Sequence, residues 1–203
     1  YDNACVKIAL FSHAPFSDVT CKVEGADCTV TEVHTEAAKG NGLCKTFLTL
    51  RFSKVLSETS PAGASASPES LSVSPAGADA KLPFLPWTPE TPHLYTFRLQ
   101  ADEDCVEGYF AMRCFTVEPD EDGMLRFCLN HKPYFLHGLL DQGYWSDGLM
   151  TAPCDEALIY DITLAKNLGF NMLRKHIKIE NERWYYHCDR LGMIVWQDMV
   201  SGG

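Results

Sequence analysis

Three short stretches near the C-terminus carry most of the side chains capable of chemistry. Asp141, Gln142, Tyr144 and Trp145 follow one apolar run. Arg174, Lys175, His176 and Lys178 follow a second. Gln197 and Asp198 follow a third. Together they offer carboxylates that accept from hydroxyls, cationic donors and an aromatic platform, the types a polyhydroxylated ligand needs. None sits in a phosphate-binding pattern, because neither GxGxxG nor GxxxxGK[ST] occurs in the chain. Metal ligation has little support. His187 and Cys188 are neighbours on an expected helix and should face different ways. Cys21 and Cys28 lack a second pair at useful spacing. The Asp120–Glu121–Asp122 cluster does not follow the EF-hand pattern and reads as a hairpin corner. No cofactor and no metal are expected.

The elements that must position these residues are legible from periodicity. Leu158, Ile162, Ala165 and Leu168 mark one face of a helix over 155–168, with Pro153 near its start and Thr151 or Asp155 as cap. Gly169 is placed to end it in the left-handed region. A strand over 170–174 follows, then a helix over 180–191 with Trp184, Tyr185, Cys188 and Leu191 inward. Gly192 ends that helix, and a strand over 193–196 comes next. With an apolar strand at 134–139, the order is βαβαβ, the mark of a parallel sheet whose strands are buried on both faces.

The first part of the chain has another texture. Val6, Ile8 and Leu10 alternate with Lys7 and Ala9, and Val19, Cys21 and Val23 alternate with Thr20 and Lys22. The 47–52 segment has two such faces, and strand character returns at 94–99 and 106–117, broken at Gly108. A hairpin of 125–129 and 134–136 is expected around Asn130–His131–Lys132. Between these strands, 18 of the 25 residues at 57–81 are Ser, Ala, Pro or Gly. Such a stretch buries too little to offset its ordering entropy and reads as a mobile insertion.

The 203 residues carry 27 acidic and 17 basic side chains, a net charge of −10, which argues against a nucleic-acid binder with its usual basic face. No apolar run approaches the roughly 18 residues a bilayer helix needs, so no membrane partner is expected. The nine cysteines are odd in number and loosely spaced, which predicts free thiols in a reducing cytosol. Cys21–Cys44 and Cys105–Cys114 stay open as bridges, and a periplasmic or secreted parent stays open beside the cytoplasmic one.

A β-sandwich followed by three parallel strands is not a finished architecture. A (β/α)8 barrel needs about 250 residues, and 71 run from Pro133 to Gly203. The second half resembles glycoside hydrolase family 2, which includes β-galactosidase, β-glucuronidase and β-mannosidase. The resemblance is carried by PWTPETPHLYTFRL at 86–99, by Phe110, Met112 and Arg113 with Leu129–Gly138, and by 152–176 with 184–198. It implies a mostly β chain: an immunoglobulin-like β-sandwich over 1–119, then an incomplete barrel segment of about three strands over 120–203.

The same resemblance implies a retaining glycosidase whose two catalytic Glu lie at barrel strands four and seven. Neither strand lies within these residues, so no catalytic residue is expected here and the chain alone should be inactive. Asn181–Glu182 imitates the acid/base pair but falls at the start of a helix, before strand three. The candidate substrate-binding residues are Asp141, Trp145, Arg174, His176 and Asp198. Arg174 matches the family's strand-two Arg, while His176 stands one place early for the strand-two His. Gln197–Asp198 departs from the more common Asp–Glu. Lys175 and Lys178 hint at a carboxylated sugar, or are simply solvated. The expected partners are a carbohydrate in the full-length protein and a second copy of the chain, held through the exposed barrel segment. The other reading is a non-catalytic scaffold or a carbohydrate- or protein-binding module.

Overall fold

A computed structural model describes residues 4–37, 42–53 and 82–200. The insertion read at 57–81 lies outside the described residues. In chain order the elements are β1 (Cys5–Ser12), β2 (Val19–Val23), β3 (Cys28–Glu36), β4 (Cys44–Phe52), β5 (Tyr95–Ala101), β6 (Asp104–Phe110), β7 (Phe115–Pro119), β8 (Leu125–Leu129), β9 (Lys132–Pro133), β10 (Gly138–Asp141), α1 (Asp155–Asn167), β11 (Met172–Lys175), α2 (Glu182–Leu191) and β12 (Ile194–Gln197). They fall into two compact units. One takes 2–85 and 97–107; the other takes 86–96 and 108–203.

The first unit is a sandwich. β4 lies between β1 and β3, antiparallel to both. A second sheet runs in the order β2–β5–β6. Period two on β4 buries Cys44, Thr46, Leu48, Leu50 and Phe52 on one face. Leu48, Leu99 and Ala101 form the centre, with Ile8, Leu10, Val19, Cys21, Val30 and Phe97 around them. Each fully buried Leu there contributes roughly 1.5–3 kcal/mol. β3 carries no clear sequence signal because a register shift between Val30 and Glu32 breaks its alternation, and its last five residues are exposed. Neither Cys21–Cys44 nor Cys105–Cys114 is bridged. Burial, then the neighbouring Cys21, Asp27 and Cys5, pushes the Cys28 thiol up to about 11.

The second unit joins a small antiparallel sheet, β7–β8–β9, to a parallel sheet, β10–β11–β12. Several sequence expectations move here. The strand read at 106–117 with a break at Gly108 is β6 and β7, and the break falls at Ala111–Cys114 instead. The strand read at 134–139 begins only at Gly138, and the second hairpin strand is Lys132–Pro133. The cap of α1 is Cys154, in extended backbone and without a side-chain hydrogen bond, rather than Thr151 or Asp155. The helix ends hold: Gly169 has φ +90 and Gly192 has φ +75. Asn181 caps α2, its Oδ1 accepting from Trp184 N at 3.1 Å.

α1 and α2 cover one face of the parallel sheet. Leu158, Ile162, Ala165, Leu173, Trp184, Cys188 and Met193 make that core, with Phe170, Leu191 and Val195 packed against it. His187 and Cys188 are both buried, Cys188 in this core and His187 against Asp155 and Arg190. His187 Nε2 sits 3.0 Å from Asp155 Oδ2, and its Nδ1 accepts from Arg190 Nε at 3.0 Å. On the opposite face, Met172 and Ile194 pack with Trp87, Leu129, Tyr134 and Leu136. Toward the strands' C-terminal ends that face is bare: Leu140 is 58% exposed and Trp196 45%. Burial on both faces is therefore limited to the lower half of the sheet. β10 and β12 are both edges, so among the described residues the parallel sheet is an open, three-stranded barrel segment. No described helix is long and apolar enough to cross a membrane.

Candidate functional site

Strand parity sorts the strand-end residues into two groups. Paired residues share a face, and Leu173 and Val195 face the helices. Lys175 and Gln197 lie two places further on, and Asp141 is the partner of Lys175, so all three share the helix side. Leu140, Arg174 and Trp196 take the opposite face.

On the helix side lies a buried polar network. Lys175 is 1% exposed, with Nζ 2.9 Å from Asp141 Oδ2 and 3.2 Å from Glu180 Oε2. It also stands 4.1 Å from the centroid of the Trp184 ring, a desolvated cation–π contact. Lys178 reaches the same Glu180 oxygen at 2.9 Å. Its Nζ also donates to Gly143 O at 3.0 Å and Met150 O at 2.7 Å. Gly143 N in turn donates to Asp141 Oδ1 at 2.8 Å. Tyr185 OH donates to Gln197 Oε1 and accepts from Glu180 N. Burial would raise the Glu180 carboxyl, but Lys178 and Lys175 hold it below its ordinary value. The reading of these lysines as solvated is overturned: both are buried and spent on carboxylates and carbonyls. The network ties the loop after β10 to the loop after β11.

The open face carries the other group. Arg174 donates through Nε to Asp198 Oδ1 at 3.1 Å and through Nη2 to Oδ2 at 3.0 Å, a two-pronged pair of fixed geometry. The Arg174 bond, reinforced by His176, holds the Asp198 carboxyl below its usual range, and Asp198 in turn raises the Arg174 guanidinium. His176 Nδ1 lies 2.9 Å from Gln142 Nε2. Asp198 N donates to Lys175 O, and His176 N to Asp141 O, so the sheet ladder itself extends into these loops.

Of the five sequence candidates, Arg174, His176 and Asp198 therefore converge. Asp141 is committed to Lys175. Trp145 packs against the helix-side core, with its Nε1 buried and lacking a hydrogen-bond partner. The exposed aromatics at this end are Tyr144, at 68%, and Trp196. Trp196 pairs with Arg174 in the parallel register, which places it on the open face. A groove of about 410 Å3 also runs along β10 and α1, lined by Leu140, Asp141, Tyr144, Asp161, Leu164 and Leu168. Burial and the nearby Asp141 raise the Asp161 carboxyl, with Lys175 opposing. Glu182 is exposed in the first turn of α2, remote from a strand end. No group of described His, Cys, Asp or Glu could hold a metal ion.

No family model matches the chain. Over 112 residues it is 31% identical to a β-galactosidase of Photobacterium profundum, covering 54% of this chain and 11% of that protein. Two β-galactosidases of Vibrio vulnificus match over the same length at 30%. The chain is similar to these bacterial β-galactosidases over about half of its own length. It spans about a tenth of the length of these curated relatives. Among solved structures, a family 2 β-galacturonidase from Eisenbergiella tayi bound to galacturonate superposes with a TM-score of 0.52 at 23% identity. That match covers 58% of this chain and 20% of the other. A β-glucuronidase of Bacteroides uniformis gives 0.52 at 22%, over 96% of this chain and 21% of the other. At these identities the structures speak for the fold alone.

Proposed function

We propose that the chain is part of a glycosidase that hydrolyses the O-glycosidic bonds of β-linked sugars. The two carboxyls of such a retaining reaction stand about 5–5.5 Å apart, one attacking the anomeric carbon and the other protonating the leaving oxygen. In this reading both glutamates lie outside these residues, and the chain alone does not turn over substrate. Residues 1–119 are then the sandwich module and 120–203 the first β/α units of the barrel. The identity to named β-galactosidases supports the reaction class. The observation that carries the site is the Arg174–Asp198 pair, at the C-terminal ends of parallel strands and on the face away from the helices. In β/α barrels catalytic groups gather at that end. Arg174, Asp198 and His176 would position sugar hydroxyls or a catalytic carboxylate, with Trp196 and Tyr144 as stacking surfaces.

The test is an assay of this chain, and of the longer reading frame around it, against a panel of chromogenic β-glycosides. Release by the longer protein and none by the chain is expected. Turnover by the chain alone, or none by a longer folded protein, would reject the reading. The sandwich supports a second reading, a non-catalytic scaffold or binding module, which that last outcome would favour.

The isolated chain is also expected to self-associate. Leu140, Leu164, Leu168 and Trp196 leave apolar surface bare beside two strand edges that have no partner among the described residues. Size-exclusion chromatography should give an apparent mass well above one chain; a sharp monomer peak across concentrations would contradict this.

A further inference from the structure

Away from the strand ends, three side chains of the second unit converge beside the β8–β9 turn. Cys114 Sγ lies 3.5 Å from His131 Nε2. His131 Nδ1 lies 2.7 Å from Glu118 Oε1. Thr116 Oγ1 donates to that same oxygen at 2.6 Å. A carboxylate accepts, so Nδ1 holds the ring proton and Nε2 is left to accept from the thiol. The order is thiol, base and orienting carboxylate, the arrangement that activates a sulfur nucleophile.

The backbone is shaped to hold it. Asn130 and His131 form a two-residue hairpin turn, both with positive φ, +52 and +64. Such a turn prefers Asn-Gly, and a side chain at the second position costs on the order of 1 kcal/mol. Here that position carries an imidazole. Asn130 Oδ1 accepts from Cys114 N at 3.0 Å, and Asn130 N donates to Cys114 O at 2.9 Å. The thiol-bearing backbone is thus fastened to the turn that presents the base. The His131 side chain is 42% exposed and Cys114 is partly exposed, so a small reagent can approach.

We propose that Cys114, with His131 as base and Glu118 as orienting carboxylate, is a reactive thiol site that takes small-molecule disulfides and other soft electrophiles. The thiol proton moves from Sγ to His131 Nε2 as the sulfur attacks one sulfur of the disulfide. A new S–S bond forms, the old one breaks, and the departing thiolate takes the proton from Nε2. The products are a mixed disulfide on Cys114 and one free thiol. The incoming disulfide is the oxidant, so the step is balanced. The site is independent of the glycosidase reading.

Alkylation by iodoacetamide, followed cysteine by cysteine with peptide mass spectrometry on the whole chain, tests it. At pH 7 native Cys114 should react about tenfold faster than the same cysteine in the urea-unfolded chain. Burial alone can only slow it. His131→Asn keeps a residue suited to positive φ and removes the base, so the advantage should vanish while the turn stays folded. Glu118→Gln should lose part of it. Oxidised glutathione should then form a mixed disulfide at Cys114 in the unaltered chain and far less in H131N. A native rate at or below the unfolded one, or an H131N rate equal to that of the unaltered chain, would overturn the proposal.

Discussion

Replacing Lys175 with methionine should destabilise the second unit by about 3–5 kcal/mol, the usual cost of removing one partner from a buried ion pair. Lys175 is 1% exposed, and its loss leaves Asp141 unpaired and Glu180 with Lys178 alone. All four tryptophans, at 87, 145, 184 and 196, belong to this unit. Urea unfolding followed by tryptophan fluorescence therefore reads it selectively. The same variant should change the acid response. Glu180 has a folded carboxyl held below its ordinary 4.5. Its contribution is present above that value and is lost as pH falls through the depressed one. Stability of the unaltered chain should therefore fall steadily below about pH 4.5, and K175M should show a shallower fall. A midpoint unchanged by K175M would mean that the buried network contributes nothing net.

Trp87→Ala should cost a similar amount, about 3–5 kcal/mol from the buried ring alone. Trp87 is fully buried against Leu129 and Ile194. Its Nε1 donates to Asp189 O at 2.7 Å, and the Arg113 guanidinium lies 4.4 Å from its ring centroid. Arg113 in turn pairs with Asp189 at 2.7 Å. Asn130 Nδ2 and Met112 O hold the Trp87 backbone. Trp87→Phe keeps most of the apolar volume and loses the indole bond, so it should cost about 1–2 kcal/mol. The fluorescence of the three remaining tryptophans follows both variants. Equal losses for Phe and Ala would assign the effect to the hydrogen bond rather than to packing.

These two sites show what the sequence could and could not reveal. Helix α2 was legible because Gly192 is a strong end signal and Trp184 and Cys188 keep helical spacing; its start was read at 180, ahead of the Asn181 cap. Trp87 stood in a proline-rich approach without periodicity, so its place at the centre of a core depended on contacts more than a hundred residues away. Asp141 looked like a ligand because it follows a strand. Its partner, Lys175, was equally visible, yet only parity with Leu173 places both on the helix side. Arg174 and Asp198 are 24 positions apart, and the parallel register of β11 and β12 brings them together. The exposed face of β3 could not be read, because a bulge resets its alternation. The strand read at 134–139 failed because Tyr134 and Leu136 are apolar for a different reason, packing beside Trp87 and Leu129.

The second unit is built from two separate stretches of chain, and Trp87 belongs to the first. On a ribosome Trp87 emerges long before Ile194, its neighbour in the core. At about 5–20 residues per second the interval is on the order of ten seconds. Met112, Arg113, Leu129 and Asn130 reach Trp87 first, but through the rest of that time the indole lacks Asp189, its hydrogen-bond partner, and Ile194, one wall of its core. The strands of the sandwich can pair while they wait, but this core closes only when its last strand arrives. Synthesis rate, and any chaperone that shields Trp87 meanwhile, should therefore govern the yield of folded protein more than the intrinsic speed of either unit.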